Sequence, residues 1–305
     1  MSDDGPRIAV ARTTEVPGDE PEITESHYAR VGHVDVRRAL PRRGRRNIGA
    51  WCFADHVGPA DVSEESGLDI GPHPHVGVQT VTWLIDGQAL HRDSLGSEQV
   101  IAPGQLNVMT AGRGVVHAEE ATGHYRGTLQ GVQLWIALPE ATRDGRAAFE
   151  HFDDLPTIDL PAGRATVFIG ETLGRSSPAR HDSELVGLDL ALHGDLTLPL
   201  RPDFDHGLIV LEGSLKVNGR GLAPGHLGYL RPERDEVAIS AAHATRAILV
   251  GGVTLDEPLF MWWNFVARSR REIDEAYDAW ESGDERFTTV TSSLARIQAP
   301  TPHWR

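Results

Sequence analysis

The chain has 305 residues, of which 40% are hydrophobic and 24% charged, with a formal net charge of −15 at pH 7. That is globular material able to bury a sizeable core in two domains of ordinary size or one large one. The acidic balance repels nucleic-acid phosphates and anionic membrane, which argues against direct nucleic-acid binding, and no stretch is apolar for long enough to span a bilayer.

Residues 1 to about 30 read as a loose, acidic, proline-containing lead-in. They carry neither the basic nor the apolar segment of a secretory signal, so a cytoplasmic protein is expected. Strand-like spacing of period two begins near Val31, with Val34 and Val36 and then Ile48, Ala50 and Cys52. Between them lies the arginine-rich run RRALPRRGRR, residues 37–46. It is read as a solvated loop whose arginines pair with the surrounding acid, against an alternative in which it docks a phosphate or an acidic partner protein. Cys52 is the sole cysteine, so no intramolecular disulfide forms; its AWCF setting is that of a buried small hydrophobe.

A turn-rich stretch, DHVGPADVSEESGLDIGPHPH, precedes the strongest strand signal of the chain, VGVQTVTWLI, which is dense in β-branched and aromatic residues. Asp86-Gly87 then reads as a hairpin turn. Further strands are expected over residues 97–101, 106–110, 115–119 and 131–138. Short strands at regular spacing with glycine turns point to an all-β sandwich or barrel. The polar stretch 143–152 allows a short helix. Strands resume with LVGLDLALH and DLTLPL. WLIDG at 83–87 is then echoed by IVLEG at 209–213, and IAPGQL at 101–106 by LAPGHL at 222–227. A repeat of this kind points to duplication of one β-barrel unit. We therefore expect an N-terminal barrel over 31–145 and a C-terminal one over 146–305. The latter carries a helix at about 270–282, opened by the capping box Ser269/Glu272, striped by Ile273, Ala276, Tyr277 and Trp280, and stopped by Gly283.

The chemistry-bearing residues lie in GPHPHVGVQTV and TAGRGVVHAEE. On an extended strand, residues two apart face one side, so His73 and His75 can converge on a point, and His117 and Glu119 do the same on a later strand. Three imidazoles and a carboxylate suit one divalent first-row transition metal and leave two octahedral positions open, as a catalytic or sensing site requires. Gln79, on the same face, is a candidate for the outer shell of the metal, or equally a polar residue satisfied by backbone. His91 is read as a hydrogen-bonded residue at the rim or surface, and Glu120 as pointing away. Trp83, Met109 and Trp135 either wall a cavity or stack in the core. In the second repeat His206, His226 and His243 form no such pairs, so one metal per chain is expected.

HPHVGVQTVTWL, HRDSLGS, QVIAPGQLNVMTAGRGVVHAEE and DHVGP resemble the pirin family of the cupin superfamily, densely over 31–138 and more loosely to the Ile273–Trp280 helix. The resemblance implies an all-β bicupin, two double-stranded β-helix barrels with a short C-terminal helix, and a metal in the N-terminal barrel held by His73, His75, His117 and Glu119. It implies iron, as Fe(II), with Mn, Ni, Cu, Co and Zn as alternatives. It also implies either quercetin 2,3-dioxygenase activity on a small aromatic, flavonol-like substrate and O2, with Glu119 as general base, or a non-enzymatic redox-sensing or partner-binding role. Gln79 stands where the family often has glutamate and Val76 where it often has arginine; neither removes a ligand, and both alter the pocket.

Overall fold

The computed structural model describes residues 20–305; most of the expected lead-in, residues 1–19, lies outside them. Among the described residues the chain is mostly strand, with one α-helix, Arg270–Ser282. The lead-in ends earlier than expected. Glu22–Glu25 is a strand, paired antiparallel with His226–Leu230 in a register that sets Ile23 against Gly228.

The chain forms two compact units, and they are not contiguous halves. One holds the described residues up to Tyr28, with Arg37–His56 and Asp154–Leu255; the other holds Ala29–Val36, Val57–Asp153 and Asp256–Arg305. The C-terminal helix lies in the unit that also holds Val57–Asp153. Its apolar stripe explains why. Ile273, Ala276 and Trp280 bury against Val76, Val116, Phe265 and Phe287, which removes apolar surface from water at about 25 cal/mol per Å². The helix ends are those the sequence encodes. Ser269 Oγ accepts the Glu272 N–H, and Gly283 closes the helix in the left-handed conformation at φ 72.

The first unit is built on a sheet whose main path runs Glu22–Glu25, His226–Leu230, Phe204–Glu212, Glu236–Val253, Leu185–Pro199, Gly163–Thr172 and Thr157–Leu160. Its core comes from period-two alternation. In Leu185–Pro199, for example, Leu188, Leu190, Leu192, Leu196 and Leu198 are buried together. LVGLDLALH and DLTLPL prove to be one strand with a register shift between Leu192 and Gly194. In the arginine run, Arg38 holds Asp55 by two hydrogen bonds of 2.8 and 2.7 Å, Arg45 holds Glu22 at 2.9 Å and Arg42 meets His27 at 3.0 Å. Arg38 and Arg45 thus make the expected acid pairs, but residues 37–40 are the end of the strand Val34–Leu40, with Ala39 and Leu40 buried, and not a solvated loop. Cys52 is buried and, as the sole cysteine, forms no intramolecular disulfide.

The second unit carries two antiparallel sheets. One orders Ile70–His75, Val115–Glu120, Ala89–Asp93 and Glu98–Ile101; the other includes, in order, Ala148–Phe152, Leu106–Thr110, Val78–Asp86 and Gly127–Ala137. The architecture is the expected all-β bicupin, with the difference that the sheets are open and jelly-roll-like rather than closed barrels. The expected Asp86-Gly87 hairpin is instead a turn that carries the chain from one sheet to the other, since Val78–Asp86 and Ala89–Asp93 lie in different sheets. Gly77 makes a second such crossing: at φ 70 it takes a conformation open to glycine, and a Cβ there would lie 2.2 Å from the Val266 carbonyl oxygen. The polar stretch 143–152 forms no helix. Ala148–Phe152 is a strand because Leu106–Thr110 offers it an unpaired edge, which sets Phe149 against Met109. No helix among the described residues is long and apolar enough to cross a membrane.

Candidate metal centre

His73 and His75 sit at the end of Ile70–His75, and His117 sits on Val115–Glu120. The antiparallel register places His117 opposite His73 and Val115 opposite His75. Alternation and register therefore bring three imidazoles to one face. Their ring centroids are 5.2 Å (His73–His75), 4.3 Å (His73–His117) and 5.0 Å (His75–His117) apart. One ring nitrogen from each lies within 4.8 Å of the other two, the single such gathering of His, Cys, Asp or Glu found among the described residues.

All three are buried. Burial drives the His73 pKa down to about 4 and those of His75 and His117 well below 6.5, with the neighbouring imidazoles adding to the effect on the latter two. The rings are therefore neutral at pH 7 and hold lone pairs that can bind a metal. The His73 Nδ1 lies 2.8 Å from the Gly71 carbonyl oxygen. A carbonyl only accepts, so Nδ1 carries the proton and Nε2 carries the lone pair. The His75 Nδ1 and the His117 Nε2 are buried without a hydrogen-bond partner. Buried nitrogens are normally satisfied; two orphans beside a third lone pair fit a cation.

Glu119 is close by in sequence but does not join that mutual 4.8 Å group. The ladder shifts between His117 and Glu119, pairing Glu119 with Ile70. Glu119 is 7% exposed, and burial alone raises its pKa to about 7. Nothing positive offsets that burial, which is the environment a divalent cation would complete.

Gln79 is not on the face of His73 and His75. The crossing at Gly77 puts it in the other sheet, where its amide donates to Thr110 Oγ1 at 3.0 Å. Trp135 does line the centre, its ring meeting His75 edge-on at 4.9 Å, while Trp83 and Met109 are buried in the core. Glu120 points elsewhere, accepting from Arg92 Nη1 at 2.6 Å. The main miss is His91. Expected at the rim or surface, it is 5% exposed, stacks on Phe149 at 4.3 Å and places its ring 5.3 Å from that of His117. The signal was present: His91-x-Asp93 on a strand is the same two-residue alternation that gathers His73 and His75, and Ala89–Asp93 pairs directly with Val115–Glu120. Behind the ligand strands, Val76 and Val116, each adjacent in sequence to a triad histidine, lie in the cluster that buries the C-terminal helix.

The chain matches the Pirin family profile over residues 33–136 and that of the Pirin C-terminal cupin domain over 185–288. A Pseudomonas aeruginosa protein named "Putative quercetin 2,3-dioxygenase" is 43% identical over 100% of this chain and 99% of its own length. A Caulobacter vibrioides "Pirin-like protein" is 32% identical over 83% of this chain and 90% of its own. The crystal structure of a quercetin 2,3-dioxygenase from Acinetobacter baumannii superposes with a TM-score of 0.89 at 40% identity, covering 93% of this chain and 96% of that one.

Proposed function

The chain belongs to the pirin family, and from that premise we propose that it holds one divalent transition metal, Fe(II), through His73, His75, His117 and Glu119 and acts as a dioxygenase on a flavonol-like aromatic. The observation that carries this reading is the pair of orphaned buried nitrogens, His75 Nδ1 and His117 Nε2, gathered with His73, with the buried Glu119 two residues along the strand of His117. Similarity to proteins named as quercetin 2,3-dioxygenases supports the substrate class.

A metal of this kind supplies Lewis acidity and one-electron chemistry toward O2. The chain's own residues supply the rest. The three neutral imidazoles donate without adding charge. Glu119 would serve as a ligand and, on leaving the metal, as the general base that takes the enol proton of the substrate. Trp135 and the buried strand faces keep bulk water from the centre.

The test is metal content of the protein purified without added metal, followed by oxygen consumption with quercetin for wild type and His117→Ala. Close to one first-row metal per chain, with uptake lost in the variant, supports the reading. Stoichiometric metal without uptake for any flavonol moves the function to a redox-sensing or partner-binding role of the same centre. No metal after reconstitution overturns it.

A further inference from the structure

We propose that Asp93 and His91 form a positioning relay that fixes the tautomer of His117 and so aims its Nε2 lone pair into the histidine cluster. The inference rests on the metal-holding reading above.

The chain begins at the turn that follows Ala89–Asp93. The Asp93 Oδ1 accepts two backbone N–H groups, from Leu95 at 2.9 Å and Ser97 at 3.0 Å. The same turn is tied to the ligand strand: the Ser94 N–H donates to the Val116 carbonyl at 2.8 Å, and Ser94 Oγ accepts the Val116 N–H at 3.1 Å. Asp93 is thus held beside His117 by backbone. Its other oxygen, Oδ2, lies 3.1 Å from the His91 Nε2. A carboxylate accepts, so Nε2 is the protonated nitrogen of His91 and Nδ1 keeps a lone pair. That Nδ1 lies 3.5 Å from the His117 Nδ1. Two lone pairs would repel there, so the His117 Nδ1 carries the proton and donates. The remaining lone pair of His117 is then on Nε2, the atom left buried without a partner. The Phe149 ring, stacked on His91 at 4.3 Å and 14°, fixes the plane in which the relay runs. His73 reaches the same state by a shorter route, through the Gly71 carbonyl. Partners of this kind orient a ligating imidazole and raise its basicity, and losing one costs roughly 10–100-fold in metal affinity.

Asp93→Asn tests it. The amide oxygen keeps the Leu95 and Ser97 N–H groups, which turns the NH2 toward His91 Nε2. His91 must then accept at Nε2 and carry its proton on Nδ1, facing His117 with a donor. Co(II) affinity, read by competition with a chromophoric chelator, is expected to fall roughly 10–100-fold. In a His91→Gln background the amide can turn to present either end, so adding Asp93→Asn is expected to change Co(II) affinity less than threefold. Equal losses in both backgrounds would overturn the relay and leave the metal reading standing; no Co(II) binding by wild type would bring down both. Should Asp93→Asn fail to fold, the metal-free wild type still decides. Histidine-selective 15N spectra at pH 7.5 should show His91 as the Nε2–H and His117 as the Nδ1–H tautomer. The Nε2–H form at His117 would sink the proposal.

Discussion

Replacing Glu119 by glutamine should make the metal-free protein more stable and the metal-loaded protein weaker. The carboxyl is buried and its pKa rises from 4.5 to about 7 with burial as the cause. A shift of that size corresponds to about 3 kcal/mol. The sign follows from linkage. A group whose folded pKa is raised favours the folded state below its unfolded pKa, and that contribution is lost as pH climbs from 4.5 through 7. Between pH 5.5 and 8 the expected loss from this one group is about 2 kcal/mol. Glutamine keeps the shape and cannot ionise, so the variant escapes the loss. Urea denaturation of both metal-free proteins across that range gives the difference directly, and other titrations common to both cancel. Co(II) competition supplies the opposite arm: as a proposed ligand, Glu119 should cost more than the roughly 10–100-fold of an outer-shell partner. Parallel pH–stability curves would refute the desolvation argument. A stability gain with unchanged Co(II) affinity would remove Glu119 from the ligand set.

The histidines predict pH effects of the other sign, and the helix a mechanical one. His206 is buried in the first unit, and burial brings its pKa down to about 4; protons then bind the unfolded chain first as pH falls from 6.5. His206→Gln should therefore flatten the acid loss of stability by about 3 kcal/mol between pH 6.5 and 4 in denaturant titrations, and an unchanged slope would show that His206 is not buried neutral. Trp280→Ala removes a 2% exposed ring that packs on Phe287 and donates to the Ile297 carbonyl. It should cost about 3–5 kcal/mol in urea unfolding. Because its cluster includes Val76 and Val116, Co(II) affinity should fall too, and unaltered affinity would make the helix a stabiliser only.

The parts of the site that were legible in the sequence are those governed by short-range periodicity. His73 and His75 share a face because strands alternate, and Ser269, Glu272 and Gly283 end a helix because caps are local. What remained hidden depends on which strands become neighbours. Gln79 has the right parity for the ligand face, yet Gly77 transfers the chain to another sheet before it is reached. The Asp86-Gly87 dipeptide carries a true turn signal; whether the following strand folds back or moves on is decided by the distant Val115–Glu120 and Glu98–Ile101, which claim both edges of Ala89–Asp93. Phe149 belongs to a stretch with helical permissiveness that pairing with Leu106–Thr110 overrides. The C-terminal helix was readable as a helix, but nothing in its own sequence says which repeat its stripe will cover.

Those long-range pairings are also what prepares the centre. Each triad ring is restrained by a different neighbour: His73 by the carbonyl of its own strand, His75 by the edge of Trp135, and His117 by the His91–Asp93 pair on the adjacent strand. Three independent restraints leave little rotamer freedom to lose on metal binding, so more of the intrinsic ligand energy appears as affinity. The cost is a cluster of desolvated nitrogens and one desolvated carboxylate in the metal-free chain. That cost is carried by packing behind the ligands, where Val76 and Val116 bury with the helix stripe. A residue 163 positions beyond His117 in the chain, Trp280, therefore belongs to the same physical problem as the ligands. The desolvated histidines and the apolar residues next to them in sequence, Val76 and Val116, are thus buried from two sides, and the C-terminal segment packs in the unit that holds the histidines.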